Sequence, residues 1–206
     1  CESGTGSEQD LTTAKLWLDT CKSSPQYSDC QQFAQAVQAS GDGERPARLL
    51  YVGDKEKDPV LIEQVTDSML YVALSYIKGQ PESAIETTKA NREEYMRGIP
   101  VEKFPPTFKD AILATRKLGL EYIWTDAVCI VQDDSQDWAR EVSNMHAICS
   151  RSELTMSGLL TESTSQALYQ PRNARTICPI PIKFWKKKNS REAYESGVIY
   201  CNVLLR

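Results

Sequence analysis

Apolar residues along "LTTAKLWLDTC" (11–21) fall at near-helical spacing through Leu11, Ala14, Leu16, Trp17 and Leu18, and predict a helix. A second short helix is expected over "CQQFAQAVQA" (30–39), closed by the breaker "SGDGERP" at 40–46. "RLLYV" (48–52) reads as an edge strand leading into the charged loop "GDKEKDP". The nearly continuous apolar run "SMLYVALSY" (68–76) has the pattern of a strand buried on both faces. Residues 81–100 read as helical. "TFKDAILATRKLG" (107–119) predicts a helix with Thr107 as its cap, Asp110 completing a capping-box-like start, and Gly119 at the left-handed position past its end.

The next stretch, "YIWTDAVCIV" (122–131), reads as a buried strand or a strand plus a turn. Asp134 then caps a helix running to about Ile148, with Asp137 at its third position, and "ELTMSGLL" (153–160) is a third apolar segment. Strand–helix–strand–helix–strand with short connections favours a mainly parallel sheet with right-handed crossovers and flanking helices. Past residue 170 only strand-like pieces at 176–185 and 197–205 stand out, without a definable architecture. The expected organisation is an N-terminal helical segment (1–47) packed on an α/β core (48–172), with an irregular extension (173–206).

Composition narrows the classes. A chain of 206 residues, 41% hydrophobic, can bury one substantial core. The formal net charge of −4 gives no overall basic field for nucleic acid or an anionic membrane. No apolar run approaches the roughly 20 residues of a membrane span, and the N-terminus, which does not begin with Met, shows no signal pattern. The seven cysteines are scattered and include no CxxC, so reduced thiols in a cytoplasmic protein are expected, and no metal site or resident cofactor. The run "KFWKKKNSR" (183–191) reads as a solvated loop rather than a nucleic-acid patch.

In an open parallel sheet, ligands bind beyond the carboxyl ends of the strands. Two strands here end in polar clusters, "LSYIKG" and "TDAVCIVQDD". Set side by side, they place Ser75, Tyr76, Lys78, Asp126, Gln132, Asp133 and Asp134 around one crevice. Trp138, Glu141 and Met145 share a helix face, so Glu141 has either a raised pKa suited to acid–base chemistry or a buried partner that fixes packing. His146 is the lone histidine, and Cys129, inside an apolar run, reads as an inert core thiol.

Several ordered blocks, "RPARLLYV", "YVALSYIKG", "GIPVEKFPPTFKDAILATRKLGLEYIWTDAVCIVQDDSQDWAREVSNMHAICSRSELTM" and "LYQPR", resemble the fungal heterokaryon incompatibility (HET) domain over about residues 45–172. The upstream "WLDTCKSSPQYSDC" is similar to a segment that often precedes it. The resemblance implies a flavodoxin-like fold of the Toll/interleukin-1 receptor (TIR) type and a part in nonself recognition and regulated cell death. Lys78 stands where the family usually has Trp, and the chain is short, which suggests a divergent stand-alone member.

Three functions are therefore expected in competition. The first is a signalling domain acting by self-association, or with another fungal signalling protein, its core and assembly surface shaped by Asp126, Gln132, Asp133, Trp138 and Glu141. The second is a TIR-like nucleosidase with NAD as substrate, using Glu141 or Glu162. The third is a small-molecule isomerase or cyclase of fungal secondary metabolism, with Lys78, Asp126, Glu141 and His146 as acid–base candidates and Ser75, Tyr76, Gln132, Asp133 and Trp138 as ligand contacts.

Overall fold

Val72 and Leu74 point to one side of the strand Tyr71–Ser75, Tyr71 and Ala73 to the other, and both sides are covered. The computed structural model describes residues 6–39, 45–78, 85–158, 163–169, 180–187 and 194–201. Its elements run α1 (Glu8–Ser23), α2 (Ser28–Ala39), β1 (Leu49–Tyr51), β2 (Val60–Ile62), β3 (Tyr71–Ser75), α3 (Arg92–Tyr95), α4 (Pro106–Lys117), β4 (Tyr122–Trp124), α5 (Asp126–Cys129), α6 (Ser135–Ser143), α7 (Met145–Ser150), β5 (Leu154–Ser157), β6 (Ile180–Lys187) and β7 (Tyr194–Cys201). Residues Glu8–Leu168 form one compact unit, and residues 1–7 with 169–206 a second.

The first unit is a mixed α/β sandwich around a five-stranded sheet of order β2-β1-β4-β3-β5. β3 pairs in parallel with β4 (Val72 opposite Ile123) and with β5 (Val72 opposite Leu154), as the alternation of elements predicts. The other half is antiparallel: β1 lies between β2 and β4, not at an edge. A strand of three residues is too short to show an alternation, and β2, "VLI", went unseen behind the charged loop. Period-two alternation holds across the sheet. Leu50, Val72, Leu74 and Ile123 cluster with Phe108, Ala111 and Ile112 of α4, whereas Leu49, Tyr71, Ala73 and Trp124 cluster with Cys129, Ile130 and Ile148 beyond the opposite face.

Local expectations meet mixed outcomes. α4 closes with Gly119 at φ +80°, while the Leu120 N–H donates to Thr115 O (3.0 Å) and the Gly119 N–H to Arg116 O (3.1 Å), a Schellman cap. Its start is not capped by Thr107: Pro105 holds the cap position and Pro106 opens the helix, where no N–H is needed. Thr107 is instead buried and donates through Oγ1 to Gln166 O (2.6 Å). Of the helix expected over 81–100, residues 81–84 lie outside the described residues, and within 85–100 only α3 is α-helical; Ile85 and Thr87 are buried at alternate positions of an extended segment, and Thr87 bridges in parallel to Val131. The helix after Asp134 breaks at Asn144 into α6 and α7.

In the second unit, the described residues of the region expected to be irregular form two strands: β6 and β7 pair antiparallel, from Ile180 opposite Cys201 to Lys187 opposite Tyr194.

Candidate functional site

Polar side chains gather in two places on the α5–α7 side of the sheet. The first is a crevice of about 200 Å³ at the carboxyl ends of β3, β4 and β5, lined by Ala73, Ser75, Tyr76, Trp124, Asp126, Met145, Cys149 and Thr155 among others. Parallel pairing brings these strand ends together, and Met145 and Cys149, one turn apart on α7, form the opposite wall. Trp124 is 3% exposed and its indole N–H has no hydrogen-bond partner, whereas the buried Tyr76 hydroxyl lies beside the Asp126 carboxylate and the Thr125 hydroxyl. Tyr76 packs edge-on against Phe108 (5.1 Å), and burial, with the Asp126 carboxylate beside it, pushes its phenol well above the usual range. Burial also raises the Cys149 thiol.

The second place is a buried charge network. The Arg48 guanidinium, just before β1, hydrogen-bonds the Asp137 carboxylate and donates through Nε to Cys129 O (2.8 Å). Asp137 also accepts from the Val131 N–H (2.8 Å) and from Arg140 (2.5 Å). Glu141, 1% exposed, accepts from the Ala47 N–H (3.3 Å to each oxygen) and from Arg140 Nε (3.4 Å). Glu63 extends the chain outward, 3.9 Å from Arg48 and held in a two-point pair by Arg92 (2.5 and 2.8 Å).

Opposing effects set the protonation of this network. Burial pushes Asp137 up, but the hydrogen bonds from Arg48 and Val131 and the charges of Arg48 and Arg140 outweigh it and hold the carboxyl below its usual range. At Glu141 burial wins over the Ala47 N–H and the two arginines, and the carboxyl is raised. Cys129, enclosed beside this network, is pushed up to about 12 by burial, so its thiolate is not available at neutral pH.

The candidates from the sequence divide between these places. Ser75, Tyr76 and Asp126 reach the crevice. Lys78 lies off its walls and pairs with Glu86 (2.6 Å). Gln132 donates to Asp126 O (2.9 Å) and Ile130 O (3.0 Å), and Asp133 accepts from the Lys89 N–H (2.8 Å), so both brace the loop after α5. Asp134 caps α6, accepting from the N–H groups of Gln136 (3.1 Å) and Asp137 (3.4 Å). Glu141 belongs to the charge network, while Trp138, on the same helix, is 49% exposed. His146 is exposed on α7, and Glu162 lies outside the described residues. Arg48 and Asp137 were missed. Their partnership spans 89 residues of sequence, and the one available hint was a charged residue directly before an apolar strand in "RPARLLYV". Among the described residues no group of three or more His, Cys, Asp or Glu is placed to hold a metal ion, and no helix is long and apolar enough to cross a membrane.

The first unit is thus a mixed α/β protein with a small crevice at its parallel strand ends and a separate buried Arg–Asp–Glu network. The sequence model of the heterokaryon incompatibility protein (HET) family matches residues 71–200, well over half of the chain, and the chain belongs to that family. No curated protein and no solved structure matches it.

Proposed function

We propose that this HET-family chain is a signalling module of fungal nonself recognition and cell death that acts through self-association rather than by turning over a substrate. The observation that carries the reading is the engagement of its acidic residues. Within the stretch 133–141, Asp133, Asp134, Asp137 and Glu141 all accept hydrogen bonds from the chain itself. A carboxylate held by a backbone N–H and a guanidinium, and shut off from solvent, is poorly placed to meet a sugar ring or a substrate proton. This supports a structural part for Glu141 and weighs against it as the glutamate of a TIR-like NAD nucleosidase. For the isomerase or cyclase alternative, Lys78, Glu141 and His146 are absent from the crevice walls, which leaves Asp126 as its acid–base group.

Light scattering after size exclusion across a wide concentration range tests the proposal, with expression in fungal cells scored for viability alongside. Concentration-dependent assembly and loss of viability are expected, with no nicotinamide released from NAD by wild type or Glu141→Gln. A monomer at every concentration that leaves cells healthy overturns the reading, as does nicotinamide release that Glu141→Gln abolishes.

A further inference from the structure

The crevice has more in it than the end of a sheet requires. Its lining is mostly apolar, yet it holds the Trp124 indole N–H, which is buried without a hydrogen-bond partner. An indole N–H can only donate, so what it lacks is an acceptor. A buried donor is ordinarily satisfied, and one left open beside a cavity marks a place where a partner is missing. Among the described residues, Asp126 is the one charged side chain lining the crevice, so an anion is repelled. Size sets the last limit. A cavity of about 150 Å³ takes one benzene ring, and this one, about 200 Å³, has room for a ring and a short substituent.

We propose that the crevice at the carboxyl ends of β3, β4 and β5 binds a neutral single-ring molecule carrying a carbonyl oxygen. The ring lies among Ala73, Met145 and Cys149, and the carbonyl accepts from Trp124. A carbonyl suits the wall better than an amine or a carboxylate, because it accepts the indole N–H and brings no negative charge to Asp126. The proposal concerns binding alone and stands apart from self-association. It gives the HET module a place where a small metabolite can be sensed.

Three probes of one shape separate its parts: acetophenone, ethylbenzene (the acceptor removed) and benzoate (a charge added). Binding is followed in ¹H–¹⁵N spectra through the Trp124 indole N–H and the amides of Ala73 and Cys149. Acetophenone is expected to move these signals saturably. Ethylbenzene should bind about tenfold more weakly, the size of one hydrogen bond, and benzoate should leave the signals in place. Trp124→Phe should bring acetophenone down to the level of ethylbenzene. Thr155→Phe, at an exposed position of the edge strand, should close the crevice and abolish the shifts, and Ser75→Phe provides a second block should the first variant lose its dispersed spectrum. Absence of saturable shifts with acetophenone overturns the proposal. So does equal binding of ethylbenzene or benzoate, or binding that survives the blocking variants.

Discussion

Glu141 and Asp137 sit one helical turn apart on α6, share Arg140 as a partner, and are driven in opposite directions by their surroundings. Glu141→Gln keeps an acceptor for the Ala47 N–H and removes only the charge, so it should stay within about 1 kcal/mol of wild type in a urea titration. Glu141→Ala strands that N–H and opens a cavity, and should cost about 1–3 kcal/mol or more. The pH dependence has a definite sign. A carboxyl raised above its ordinary 4.5 binds its proton more tightly when folded, so it takes stability away as pH rises from there through the folded value. Measured against wild type, Glu141→Gln should therefore gain in relative stability over that interval. Asp137 runs the other way: held below its ordinary 3.8, it contributes stability above that pH and loses it as pH falls through the folded value. Asp137→Asn leaves the Arg48 charge buried without its counter-charge, should cost about 3–5 kcal/mol at neutral pH, and should flatten the acid limb of a plot of urea midpoint against pH.

At the scale of elements, two termini invite simple tests. Asp134→Ala removes the side chain that accepts the first N–H groups of α6 and should lower stability by about 1 kcal/mol. Gly119→Ala has room for its Cβ, the nearest atom being Lys15 Nζ at 3.7 Å. Its cost, about 1 kcal/mol, comes from the left-handed backbone alone, and thermal unfolding of the two variants checks both figures. These features were legible in the sequence because caps are local: Asp134 and Gly119 bind groups within a few residues of themselves. The order of strands β3, β4 and β5 was legible for the same reason, each being an apolar run punctuated by turn residues. What stayed hidden is non-local. Ile85 and Thr87 alternate as a strand would, but through a single bridge to Val131, which lies beyond α4 and β4 in the chain. Thr107 looked like a cap until the two prolines before it were given their proper place. At the site, the crevice was legible as strand ends, giving Ser75, Tyr76 and Asp126, but Arg48 and Asp137 were not, because no local pattern announces a salt bridge between the start of one strand and a distant helix.

Across the first unit, residues outside the family match take part in holding the matched ones. β1 and β2 precede residue 71 yet cover one side of β4, and Ala47 and Arg48 supply the partners of Glu141 and Asp137. A fragment starting at residue 71 would leave β4 with a bare edge and both carboxylates with lost partners. It should show no cooperative thermal transition by circular dichroism, whereas a chain starting at residue 45 should retain one; a cooperative transition in the shorter fragment would mean that the network is dispensable.

Strand β3 also carries a consequence for the order of synthesis. β3 has covered faces and two parallel neighbours, and both neighbours come later in the chain: Val72 pairs with Ile123 roughly fifty residues on and with Leu154 roughly eighty on. At ribosomal speeds of about 5–20 residues per second, its first neighbour emerges about 3–10 s after it does and its second about 4–16 s. Until the first arrives this buried strand has two open edges, and until the second arrives one edge stays open. The nascent chain therefore has a timed window of vulnerability, set by topology rather than by stability, in which a chaperone's grip on residues 71–75 would matter most.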